Sequence, residues 1–423
     1  MKTLGKHFLF MAITCLPVAD VLALSFDRTT IEQLGLPLVE ITTVNGEEPT
    51  CDYVVAPEGE NGQSIINATK VPGRVVVSFE GVVRFDSGNY KQGESGMTIK
   101  IRGNTSAYTY YDKKPFKIKL QKKGDMLWRG DKRYNDKDWL LIKDGDYGFN
   151  TMASFLVARF LEVGWVPSYR YVNVIMNGDY RGIYMLVEAV ERNADCRINV
   201  DKQQGFVIEF DAYWWKEAVY FGTSGVRKYT FKYPDDDDVT DFQISYIRQR
   251  VIDMEQSIIN GNYHEHLHVP SWAKWVLCHD ILGTSDAAGS NIFMTLYDHS
   301  PESRLMLTTP WDFNTTFRTY NAWSTVHSYW RFYFKELFES SNPMFRNVYL
   351  MEWRKVSPVI FSYVVGQLDQ FGRSPEFMAI SRSRNYDKQR WGYNLLSAQT
   401  DLSVARSWFY NRRKWMETQL GDK

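Results

Sequence analysis

The sequence predicts an α+β molecule of two lobes, an antiparallel β-rich amino-terminal lobe with one packed helix and a mainly helical carboxy-terminal lobe. Three observations predict it. Alternating apolar runs punctuated by turn-forming pairs fill the first part of the chain. After about residue 235 the apolar positions recur at three and four instead of two. With 44% apolar and 15% aromatic residues over 423 positions, the chain can bury a large core.

The first stretch stands outside the fold. Lys2 and Lys6 precede a mostly apolar segment, Phe8 to Val18, and Val21-Leu22-Ala23 offers small residues for cleavage, the pattern of a secretory signal over residues 1–23. No later run reaches the roughly 18 uninterrupted apolar residues a membrane helix needs, so the expectation is an exported protein, secreted, periplasmic or at the cell surface. Cys51, Cys196 and Cys278 are too few and too far apart for a disulfide framework. Lys plus Arg equals Asp plus Glu at 50 each, which argues against nucleic acid as a partner.

Residues 24–200 form the expected β-rich lobe. Leu36 to Thr43 ends at Asn45-Gly46, a pair suited to a hairpin, and Arg74 to Phe79 and Met97 to Arg102 continue the β pattern. After the loop Gly103 to Ser106, Phe116, Ile118 and Leu120 alternate with Lys117 and Lys119, placing both lysines on one strand face. Trp139 to Leu141 leads into a helix with Met152, Phe155, Leu156, Phe160 and Val163 at helical spacing. Tyr171 to Met176 and Tyr180 to Val187 flank Asn177-Gly178-Asp179 as a hairpin whose second strand runs into Glu188.

Residues 201–423 form the expected helical lobe, after a last strand at Gly205 to Phe210. Thr240 and Gln243 make a capping box, and Ile244, Ile247, Val251, Met254 and Ile258 repeat helically up to Gly261. Trp272 to Leu282 is a helix, Met306 to Thr308 a short strand, and Asp401 opens the last helix. The acidic run Asp235 to Asp238 reads as a solvated loop between the lobes, because it lacks the spaced ligands of a calcium loop.

Three polar residues carry chemistry. Asp286 and Asn291 lie five apart in TSDAAGSN (284–291), and Asp312 follows in PWDFN (310–314). Mg²⁺ is a hard cation, usually held by one or two carboxylates with phosphate and water completing its shell. In kinase catalytic loops one Asp orients the attacking hydroxyl while an Asn five residues on and a later Asp hold metal. The competing account makes all three turn and cap residues, chosen for conformation alone.

The stretches IRGNTS with KKPFKIKL (101–120), residues 139–161, VNVIMNGDYRGIYMLVEAVERN (172–193), TSDAAGSNIF (284–293) and PWDFNTTF (310–317) together resemble the spore-coat CotH kinase family, an atypical protein-kinase-like group. The resemblance spans about residues 35–420 and implies a bilobal protein-kinase-like fold, ATP between the lobes with Mg²⁺ or Mn²⁺, and phosphorylation of protein hydroxyls. It makes Asp286 the catalytic Asp, Asn291 and Asp312 metal ligands, and Lys117 the phosphate lysine, with Lys119 on the same face as the rival. Arg102 and the Gly103 loop, a possible anion nest, also belong to the nucleotide site, as does Glu188 at the end of its strand, through either a nucleotide contact or a structural bond. Tyr213, Trp214 and Trp215 either stack on a base or pack in the core.

The chain also departs from the kinase pattern. Thr284-Ser285 precedes Asp286 in place of His-Arg, and Phe313-Asn314 stands where Phe-Gly is usual. The helix around Met152 has no early glutamate to pair with the phosphate lysine, Glu162 falling at its far end, which leaves Asp146 or Glu188 as substitutes. Compartments outside the cytoplasm hold little ATP, so the alternative function is a catalytically weak surface adhesin or assembly factor. A metal-dependent hydrolase lacks paired-histidine support among the seven His.

Overall fold

A computed structural model describes residues 26–108, 112–143, 149–223, 227–317, 332–392 and 396–421. The signal-like residues 1–23 and Asp146 lie outside the described residues. The strands of the first half are β1 (Leu38–Thr43), β2 (Asp52–Val55), β3 (Gln63–Ile66), β4 (Val71–Phe79), β5 (Val82–Asp86), β6 (Met97–Ile101), β7 (Phe116–Gly124), β8 (Asp136–Lys143), β9 (Tyr169–Met176) and β10 (Asp179–Glu188). Those of the second are β11 (Phe206–Phe210), β12 (Tyr220–Gly222), β13 (Lys228–Tyr233), β14 (Ile292–Leu296) and β15 (Met306–Leu307).

The first half closes on itself. The order β1-β9-β10-β8-β7-β6-β4 returns to β1, giving a seven-stranded barrel with β5 appended to β4, while β2 and β3 form a separate hairpin. Strand β1 closes the ring by lying antiparallel to β4, Leu38 opposite Ser78, and parallel to β9, Leu38 opposite Asn173. Alternation then fills the interior: Val39, Val75, Ile99, Ile118, Trp139, Val174 and Leu186 all belong to one buried cluster. The Asn177-Gly178 turn joins β9 to β10 as expected, with Met176 opposite Asp179 and both turn residues at positive φ. Asn45-Gly46 turns the chain after β1 without joining neighbouring strands, because β1 pairs with β4 and β9.

The bilobal protein-kinase-like fold is therefore not the one formed. An open antiparallel sheet and a closed barrel share the same in/out alternation, so the pattern of each strand is silent about closure, which one parallel and one antiparallel partner of β1 impose. Nor is the second half mainly helical throughout. It holds a five-stranded antiparallel sheet, order β12-β13-β11-β14-β15, whose central strand β11 is buried on both faces.

The helices pack around these two sheets. They are α1 (Arg28–Glu32), α2 (Thr105–Tyr108), α3 (Asn150–Phe160), α4 (Asp241–Asn260), α5 (Val269–Leu282), α6 (Phe334–Glu339), α7 (Met344–Val356), α8 (Ile360–Phe371), α9 (Pro375–Trp391) and α10 (Ala398–Leu420). Leu140, Met185 and Val187 on the outer wall of the barrel join Phe155 of α3, Ile208 of β11 and Trp275 of α5 in one apolar cluster. The capping box of Thr240 and Gln243 opens α4, and left-handed Gly261 ends it. Ser397, not Asp401, caps α10; Asp401 is buried against Arg384 at 2.5 Å. No helix among the described residues is long and apolar enough to cross a membrane.

Candidate functional site

Three loops meet where the barrel wall faces the second sheet. Helix α5 stops at left-handed Gly283, and the chain turns through a single 3₁₀ segment, Ser285–Ala288, that presents Asp286 to solvent. Asn291, at φ 58°, and Asp312, at φ 57°, both occupy left-handed backbone, a conformation that Asn and Asp tolerate better than other non-glycine residues. Such residues cost free energy and concentrate at functional sites.

Buried contacts hold these loops in register. The Asn150 side chain at the start of α3 donates to the carbonyls of Phe313 at 3.2 Å and Thr316 at 3.1 Å. Thr284 and Thr316 hydroxyls meet at 3.0 Å, and the Asp286 amide donates to Thr315 Oγ1 at 3.4 Å. Phe313 is the floor, packed edge-on against Phe155 and stacked on His279. The outcome is that Asn291 Nδ2 lies 3.5 Å from Asp312 Oδ2.

Electrostatics tie Asp286 and Arg102 to this pair. The Asp312 carboxyl is raised above the usual range by burial and by the like charge of Asp286, against the Asn314 amide and the Arg102 guanidinium. A divalent cation would relieve that repulsion, and two carboxylates with one side-chain amide supply hard oxygen donors. Among the described residues no cluster of three or more His, Cys, Asp or Glu could enclose a metal.

Lys117 lies on the outer face of β7, between the inward-facing Phe116 and Ile118. Its ammonium is 3.0 Å from Asp138 Oδ1 of β8 and 3.0 Å from Glu191 Oε1, just past β10. Lys119, opposite Asp138 in register, is exposed.

The model for the family described as CotH kinase protein matches residues 99–416, most of the chain. The chain belongs to the CotH kinase family. No curated protein sequence matches it.

The CotH match covers every residue proposed from sequence, and the structure does not bring all of them together. Glu188, 1% exposed, spends one oxygen on Arg129 at 2.8 Å and the other on the Ser168 amide at 2.8 Å, so its role here is to anchor the end of β10. Tyr213 donates to or accepts from Thr105 at 2.9 Å, and Trp214 packs on Tyr220. This turn thus joins the Gly103 loop to the second sheet.

Sequence reading passed over Glu209 and Asp211. Glu209, in β11, pairs with Lys232 at 2.8 Å, and burial with the nearby carboxylates of Asp211 and Glu217 pushes it up to about 7. Burial lowers Arg102, while the nearby carboxylates of Asp312 and Glu209 act the other way. The available signal was a glutamate and an aspartate inside the apolar run FVIEFDAY, since charges seldom enter a doubly buried strand without a partner.

Proposed function

We propose that this CotH-family chain is an exported, metal-dependent protein kinase that transfers the γ-phosphate of ATP to a serine or threonine hydroxyl of a surface or co-exported protein. The observation that carries the reading is the convergence of Asp286, Asn291 and Asp312 from two separate loops beside Arg102. The family match supports phosphotransfer chemistry, and the signal-like residues 1–23 support export.

Asn291 and Asp312 would hold Mg²⁺ or Mn²⁺, which when bound neutralises phosphate charge. Asp286 is exposed while Asp312 is partly buried, so Asp286 is the carboxylate an incoming protein hydroxyl can reach. It orients that hydroxyl and accepts its proton as oxygen attacks phosphorus and the bond to the nucleoside diphosphate breaks. Arg102 balances anionic charge at the same point.

The test is transfer of radiolabel from γ-labelled ATP to the chain itself or to an added protein, with Mg²⁺ or Mn²⁺. Asp286→Ala is expected to lower labelling by about a hundred- to ten-thousandfold while ATP still raises the melting temperature. Asp312→Ala is expected to remove the metal-dependent part of that thermal shift. A wild-type chain that neither labels nor shifts with ATP overturns the kinase reading, and one that shifts without labelling makes the protein a nucleotide-binding surface or assembly factor.

A further inference from the structure

The outer wall of the barrel brings cations of neighbouring strands face to face. Lys100 of β6 sits directly opposite Lys117 of β7 in the ladder. Ile99, Ile101, Phe116 and Ile118 point into the barrel, so Lys100, Arg102 and Lys117 share its outer face. Like charges directly opposite each other on neighbouring strands are destabilising.

Lys117 is satisfied there and Lys100 is not. Asp138 and Glu191 both hold Lys117, whereas neither Lys100 nor Arg102 has an ion pair or side-chain hydrogen bond among the described residues. Burial, with the like charges of Lys117, Lys70 and Lys216, lowers the Lys100 pKa against the opposing charge of Glu217. Lys216 arrives from the other side, its ammonium 3.8 Å from Glu217 Oε1. The Asp211 carboxylate caps its turn through the Tyr213 amide at 2.7 Å, Ser290 next to Asn291 accepts the Ala212 amide at 3.2 Å, and Thr105 meets Tyr213. Arg102 acts on Lys216 as a like charge, placing the lysine over the end of β6.

We infer that Lys100 and Lys216, with Arg102, form the cradle for the polyphosphate chain of the nucleotide, and that Lys117 is a positioning residue which holds Asp138 and Glu191 rather than the phosphates. This deepens the reading of the site as a nucleotide site and rests on it. Two residues along one strand face are about 6.6 Å apart, so Arg102 beside Asp312 and Lys100 farther along β6 offer charge to successive phosphates. The anion relieves a repulsion already present in the free protein, which explains how the fold keeps three converging cations.

The test measures binding of ATP with Mg²⁺, adenosine and inorganic tripolyphosphate to the full chain by calorimetry. Lys100→Met and Lys216→Met are each expected to weaken ATP and tripolyphosphate by about ten- to a hundredfold, the loss of one charge-assisted bond. Adenosine affinity is expected to stay within twofold, and Lys100→Arg to restore most of the ATP affinity. Lys100 lies partly exposed on the outer wall, and Lys100→Gln serves as the second variant if Lys100→Met does not fold. ATP binding that ignores the Lys100 and Lys216 changes overturns the cradle and leaves the nucleotide site standing. Tripolyphosphate binding that depends on Lys100 in a chain indifferent to ATP upholds the cradle and overturns the nucleotide. A chain that binds neither overturns both.

Discussion

Two lysines, four residues apart, are buried in this molecule to opposite ends. Lys113 is 1% exposed and meets Asp387 of α9, itself 0% exposed, at 2.7 Å. The same Asp387 oxygen accepts the Ile183 amide at 3.0 Å, and Lys113 donates to the Ile183 carbonyl at 2.6 Å. A β-bulge at Gly182, where a Cβ would fall 1.8 Å from that oxygen, lets the carboxylate reach the strand. Lys117, by contrast, is 27% exposed between Asp138 and Glu191 at 12% and 22%. The sealed pair fastens α9 to the barrel and can exchange with nothing. The open one keeps its charges within reach of solvent and of a ligand, and this difference separates a structural clasp from a site.

The largest expected effect falls on the sealed side. Lys113→Met removes the buried ammonium that faces the Asp387 carboxylate and is expected to cost about 3–5 kcal/mol, read as a lowered denaturation midpoint; adding Asp387→Leu is expected to recover part of it. A cost below about 1 kcal/mol would show that the clasp is solvated and the comparison void.

Acid and base titrations divide the two regions by sign. Glu209, on the side of the candidate site, is buried within β11, and its pKa is pushed up to about 7 from 4.5. Its folded-state proton stabilises the protein fully below 4.5, and that stability is lost as pH rises through 7. The effect is at most about 3 kcal/mol, and Glu209→Gln is expected to flatten this part of the stability curve.

His279 belongs to the sealed side, beneath Phe313, with both ring nitrogens unpartnered among the described residues and its pKa lowered from 6.5 to about 3 by burial. The fold excludes its proton, so stability is full above 6.5 and falls as pH drops toward 3. By pH 5 the loss is about 2 kcal/mol, and His279→Phe is expected to remove it. Equal slopes in wild type and variant would place His279 in contact with water.

The smallest effect on stability is expected for Lys117→Met, about 1–2 kcal/mol because its partners remain partly solvated. The accompanying loss of ATP affinity is expected to be indirect, restored in part by Glu191→Gln in the same chain. A stability cost equal to that of Lys113→Met would erase the distinction between the two lysines.

Some of this was legible in the residues themselves. Asn177-Gly178 dictated the β9–β10 turn and Thr240 with Gln243 the start of α4, because both signals act within a few residues. Spacing and donor chemistry singled out Asn291 and Asp312, whose side chains the fold brings to 3.5 Å, and alternation put Lys117 and Lys119 on one strand face. The partners of Lys117 were not, since Asp138 and Glu191 lie on two other strands or their ends and carry no local sign of which lysine they meet. Glu209 was passed over because an apolar strand pattern conceals a charge whose partner, Lys232, stands on a neighbouring strand.

The sequence by itself determined the elements, the family resemblance and the oxygen donors, because periodicity, capping and ligand chemistry are properties of short segments. Only the tertiary structure decided that β1 closes the first sheet into a barrel, that a five-stranded sheet runs through the half expected to be mainly helical, and that Lys100 faces Lys117. Those outcomes depend on which distant strands pair. Local alternation has the same form in an open sheet and a closed one, so closure and the charge constellation on its outer wall follow from long-range register.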